Sequence, residues 1–109
     1  MRILFDNNCP RGLARFLTLH SVEEARTRGW EELTNGDLIE AAEKAGFDVI
    51  VTADKNIRYQ QNLKERAIAL VVLEQSQWPM VKLVAQDIVA AVNAAGSGSY
   101  VEVRVPFQR

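Results

Sequence analysis

Three apolar runs too short for helices constrain this chain more than anything else in it: Ile3-Leu4-Phe5, Val49-Ile50-Val51 and residues 67–73. Unbroken runs of that length, rich in β-branched residues, are the pattern of strands buried on both faces, as in a parallel sheet. Helical signals lie between them. Asn7-Asn8-Cys9-Pro10 supplies turn chemistry and a first-turn proline, after which Leu13, Phe16 and Leu17 recur at helical spacing. Thr34-Asn35-Gly36-Asp37 opens a second helix with Leu38, Ile39, Ala42 and Ala45 as its apolar stripe, and Gly46 is placed to end it. A further helical segment is expected at about 56–63, and Pro79 opens what reads as the longest helix, with Val81, Val84, Ile88 and Val92 on one face. Residues 21–25 fit a short second strand, and residues 100–105 alternate at period two as an edge or final strand that Pro106 stops. Strands alternating with helices predict an α/β domain with a short, mainly parallel sheet and right-handed crossovers.

At 109 residues, a single domain spanning 1–109 is expected. Cys9 is the one cysteine, which excludes an internal disulfide and a cysteine-cluster zinc site and favours a cytoplasmic setting. The opening has no basic leader, and no apolar stretch reaches the roughly 20 residues of a membrane-crossing helix, so neither secretion nor membrane insertion is expected. Residues 1–56 carry seven Lys/Arg against ten Asp/Glu and residues 57–109 six against four, which is not the charge of a general polyanion binder.

In an open parallel sheet the carboxyl ends of the strands share one crevice, so Asp6 and Asp54 converge there from distant parts of the chain, and Asp37 at a helix start can point into it. Carboxylates packed together repel unless a divalent cation compensates them. Hard oxygen donors suit Mg²⁺ or Mn²⁺, with Asn8 adding a carbonyl oxygen or positioning a metal-bound water. The chemistry such a site supports is metal-assisted phosphodiester hydrolysis, with Arg11, Lys55 and Arg58 placed to hold phosphates beside the cut. Capping and helix-dipole effects account equally well for Asp37 and Asp54, and less well for Asp6. Glu74 is a possible fourth carboxylate, although an exposed loop glutamate is the plainer account. Glu40 pairs with Lys44 in i,i+4 register and belongs with Glu43 on a solvated face. His20 reads as structural, and Cys9, at a helix start that could acidify a thiol, has no catalytic histidine beside it. Trp30 and Trp78 are assigned to core or interface packing ahead of base stacking.

Residues 3–10, Ile-Leu-Phe-Asp-Asn-Asn-Cys-Pro, resemble the opening Asp-Glu-Asn-Leu-Pro signature of small bacterial PIN-like proteins, and Thr52-Ala53-Asp54-Lys55-Asn56 resembles their strand-ending Thr-x-Asp-Lys-Asp-Phe element. Trp30 followed by Thr34-Asn35-Gly36-Asp37-Leu38-Ile39 is similar to the segment carrying their second acid. The resemblance covers residues 1–73. It implies a PIN-like three-layer domain, divalent-metal-dependent ribonuclease activity on RNA, and often a toxin role opposite a cognate antitoxin protein. It also puts Asp6, Asp37 and Asp54 on the metal positions and Asn8 on the accompanying polar one. The chain departs from the pattern at Asn7 for glutamate, Asn56 for aspartate and Ile57 for an aromatic, and only Glu74 stands for the fourth acid. Two acids replaced by amides weaken metal affinity or leave one ion instead of two.

A catalytically degenerate PIN-like module that binds protein or RNA is therefore the alternative. A phosphoacceptor domain would also use acids after the first and third strands, but it needs adjacent acids where Asp6 is followed by Asn7, and a lysine after the last core strand. A twofold homodimer that joins basic edges into one RNA channel is a further expectation.

Overall fold

The computed structural model describes residues 1–59 and 63–107, with the side chains of Arg58, Tyr59 and Lys64 outside that description. Its centre is a five-stranded sheet of β1 (Arg2–Phe5), β2 (Ser21–Glu24), β3 (Val49–Thr52), β4 (Ala69–Leu73) and β5 (Tyr100–Val103), in the order β2-β1-β3-β4-β5. Every pairing is parallel, with Ile3 opposite Val22 and Val49, and Val71 opposite Val51 and Val101. The buried strands are the β-branched runs of the sequence. β3 and β4 are buried at every position, which is why neither shows polar alternation.

Successive side chains of each strand feed two separate cores. Ile3, Phe5, Val49, Val51, Val71 and Leu73 face one side, where the 3₁₀ helix Arg11–Phe16 and the helices α2 (Trp78–Leu83) and α3 (Ala85–Ala94) cover them with Leu13, Val81, Ile88 and Val92. Leu4, Ile50, Leu70 and Val72 face the other side, under α1 (Asn35–Lys44) and the 3₁₀ helix Lys55–Tyr59, which contribute Leu38, Ile39, Ala42 and Ile57. The result is a small three-layer α/β domain. Among the described residues no helix is long and apolar enough to cross a membrane.

α1 begins and ends on the expected signals. The Thr34 side chain accepts from the Asp37 N–H at 3.3 Å, Asp37 sits in the first turn and Lys44 in the last. At the other end Gly46 takes φ 86°, with its N–H on Glu43 O at 3.1 Å and the Phe47 N–H on Ala42 O at 3.0 Å. That is a Schellman termination, in which a left-handed residue returns orphan carbonyls to donors.

Three expectations are revised. The segment after Pro10 winds as a 3₁₀ helix, and so does the described part of the segment expected at 56–63, as Lys55–Tyr59 and Leu63–Glu65; residues 60–62 lie outside the described residues. The helix opened by Pro79 is two helices. Val84 at φ −115° and ψ 21° separates α2 from α3, yet Val81, Ile88 and Val92 stay buried on one face, so packing overrides the break. The crossovers also do not share one hand. β1 to β2 steps toward one edge across the first face, and β2 to β3 and β3 to β4 step the opposite way across the second face, so all three have the same hand. β4 to β5 steps with the latter two but returns over the first face, and is of opposite hand. Without α2 and α3 that face would be covered only by the six residues of the first 3₁₀ helix, and burying Val49, Val51, Val71 and Leu73 outweighs the usual preference.

Candidate functional site

The strand order reverses between β1 and β3: the chain leaves β1 for one neighbour and later returns on its other side. In open parallel sheets a crevice opens outside the carboxyl ends at that point. Asp6 and Asn8 follow β1, and Ala53 and Asp54 follow β3, so the carboxyl ends of two strands distant in sequence meet there because of strand order.

Thr52, the last residue of β3, holds the arrangement together. Its hydroxyl is fully buried; it lies 2.8 Å from Asp6 Oδ2 and 3.3 Å from Asn8 Oδ1, to which it can donate, and it accepts the Asp54 N–H at 3.0 Å. Asn8 Oδ1 also accepts the Ala53 N–H at 2.9 Å. The Asp6 carboxylate and the Asp54 backbone N–H thus share one hydroxyl oxygen as partner. The other Asp6 oxygen accepts the Asn7 N–H at 2.8 Å. Asp54 accepts the Asn56 N–H at 2.9 Å on Oδ1 and Asn35 Nδ2 at 3.1 Å on Oδ2. An ionised carboxylate offers about four acceptor positions, so two remain on each aspartate.

Asp37 does not join Thr52. It is exposed on the first turn of α1, two residues beyond Asn35, and it is Asn35 that reaches Asp54. Among the described residues no three His, Cys, Asp or Glu side chains form a group able to hold a metal ion. The donors that do gather at Thr52, the Asp6 carboxylate and the Asn8 amide oxygen, are nevertheless of the hard type that suits Mg²⁺. That ion is commonly held through one or two carboxylates and keeps several waters.

The amide replacements have structural roles. Asn7 Nδ2 donates to the Glu31 carbonyl at 2.7 Å, which a glutamate at this position cannot do, since both partners would be acceptors. Ile57 is fully buried in the second core. Arg11 is committed elsewhere: its Nε donates to Glu24 at 2.9 Å, at the end of β2. Lys55 is exposed beside Asp54, and the Arg58 side chain lies outside the described residues. Glu74 is half-buried, not an exposed loop residue, and accepts the Val105 N–H at 3.3 Å, closing the exit of β5.

His20 sits before β2, at the amino end of the sheet, with Nε2 2.7 Å from Asn93 Oδ1. The Cys9 thiol is not acidified. Burial, then the charges of Asp6 and Glu24, push its pKa well above the ordinary thiol value, so it is no nucleophile near neutrality. Trp30 packs edge-on against Phe47 at 6.2 Å, and Trp78 packs against Phe16 at 6.2 Å. Sequence reasoning gave Thr52 and Asn35 no role. The available signal was a hydroxyl residue closing a wholly apolar strand, where an unpaired hydroxyl would be costly.

Neither a family model, a curated protein nor a solved structure matches this chain.

Proposed function

We propose that this protein is a PIN-like, divalent-metal-dependent ribonuclease whose crevice is formed by Asp6, Asn8 and Asp54, without Asp37. The observation that carries the reading is the attachment of the Asp6 carboxylate and the Asp54 backbone N–H to the single buried hydroxyl of Thr52 at the reversal of strand order. Two half-buried aspartates at the ends of adjacent strands, each fixed by donors of the protein, offer hard oxygens that a cation held against a phosphate would use. Mg²⁺ or Mn²⁺ bound there would polarise the phosphodiester and lower the pKa of a water. The protein's own part is orientation: Thr52, Asn7 N–H, Asn56 N–H and Asn35 fix both carboxylates before any ligand arrives.

The alternative, a PIN-like module that binds RNA or a protein partner such as an antitoxin without cutting, draws on a specific observation. No three acids gather among the described residues, and Asn35 occupies one Asp54 oxygen. Purified protein incubated with labelled RNA and Mn²⁺ separates the two. Cleavage that is abolished by EDTA and by Asp6→Asn or Asp54→Asn is expected. RNA left intact, with calorimetry showing no Mn²⁺ binding, defeats the nuclease reading, whereas cleavage lost in Asp6→Asn defeats the binding module.

A further inference from the structure

The carboxyl edge of the sheet carries a second feature, a cleft of about 320 Å³ at the ends of β4 and β5. Lys55, Glu74, Glu102 and Arg104 supply its charged lining. Lys55 directly follows Asp54, so the cleft opens beside the acidic crevice. Its volume is at the lower end of the roughly 300–1,000 Å³ of small-ligand sites.

Most of the other described cations of the molecule are held by carboxylates. Arg2 and Arg28 are bound to Glu23, Arg11 and Arg26 to Glu24, Lys44 to Glu40 and Arg66 to Glu43. Among the described residues Arg15, Lys55, Lys82 and Arg104 have no such carboxylate and no hydrogen-bond acceptor, and of these Lys55 and Arg104 line one concavity. The two acids of the same cleft are engaged with protein donors: Glu74 accepts the Val105 N–H at 3.3 Å, and Glu102 accepts the Tyr100 hydroxyl at 3.1 Å. The cations are left over, and the acids are not. An exposed cation without a partner contributes nothing to folding through pairing, whereas two lining one cleft make a site for an anion.

We propose that this cleft seats a phosphate of the nucleic-acid strand running past Asp6 and Asp54, with Lys55 and Arg104 as its cationic contacts. The identity of the strand rests on the nuclease reading; the anion chemistry does not. Arg11, which sequence spacing nominates for this task, is replaced in it by Arg104, because Glu24 already holds Arg11. Since the cleft is formally neutral, Glu102 opposes the incoming phosphate. That gives the proposal a sign in both directions.

The test is fluorescence anisotropy of the full chain with a short labelled single-stranded RNA in EDTA, which suppresses cutting, across a salt series. Lys55→Ala and Arg104→Ala are each expected to weaken binding severalfold and to reduce the slope of log Kd against log salt by about 0.7. Glu102→Gln is expected to tighten binding, and Lys82→Ala, an exposed cation on α2 outside the cleft, to change neither quantity. RNA that does not bind, an Arg104→Ala variant that binds as the wild type does, an equal loss in Lys82→Ala, or displacement of RNA by polyglutamate as readily as by unlabelled RNA each overturns the proposal. If cutting requires Asp6 while Arg104→Ala binds normally, the cleft is refuted and the nuclease reading stands. RNA binding that requires Arg104 in a protein that never cuts has the reverse meaning.

Discussion

Replacing Thr52 with valine exchanges one hydroxyl for a methyl of nearly equal volume, so the cores on either side of β3 stay filled while three hydrogen-bonding groups lose their common partner. The Asp54 N–H, 3.0 Å from Thr52 Oγ1, is left without an acceptor, and Asp6 Oδ2, 2.8 Å away, loses a donor. Asn8 Oδ1 keeps only the Ala53 N–H. A buried donor left unsatisfied costs about 1–3 kcal/mol, and the bond to a charged acceptor is worth about 1.5–3 kcal/mol; water reaching the half-buried carboxylates returns part of this. We expect Thr52→Val to lose about 2–4 kcal/mol, a large share of the roughly 5–15 kcal/mol that holds an ordinary domain together. Urea unfolding followed by circular dichroism measures it. Thr52→Ser is the control, because it keeps the oxygen and gives up one methyl, for about 1 kcal/mol. A valine variant within about 0.5 kcal/mol of the wild type, or no less stable than the serine variant, refutes the account of Thr52 as the partner of both aspartates.

Gly12 is needed for a different reason: a Cβ placed there would lie 2.6 Å from Trp78 Cε2 and Cζ2, so Gly12→Ala forces the indole off the first 3₁₀ helix. A loss of about 1–3 kcal/mol with a shifted tryptophan emission spectrum is expected, and an unchanged melting temperature would contradict the packing. Glu23 offers a pH test. Its hydrogen bond to Arg28, then that to Arg2, hold its pKa below the ordinary 4.5. The depressed folded-state value means its contribution is complete above pH 4.5 and is lost as pH falls through the folded pKa. Glu23→Gln should therefore flatten the acid limb of the stability curve below that pH; an unaltered limb assigns acid unfolding to other groups. At 35% side-chain exposure the effect is screened and falls with salt.

Much of this fold is written locally. The strands at Ile3, Val49 and Leu70 follow from apolar runs too short for helices, and α1 follows from Thr34 at one end and Gly46 at the other, each acting on backbone groups within a turn of itself. Tertiary structure decided the rest. Thr52 and Asp6 meet because β3 lies beside β1, an adjacency that depends on strand order, and no pattern within either segment encodes it. The same order puts Glu24 within reach of Arg11 and leaves Lys55 and Arg104 unclaimed, so which cations are available is a property of the assembled edge. The hand of the last crossover was likewise set by a face that needed covering. Propensity and turn chemistry act over a few residues and can be read from them; register and strand order are settled by the free energy of the whole packed core.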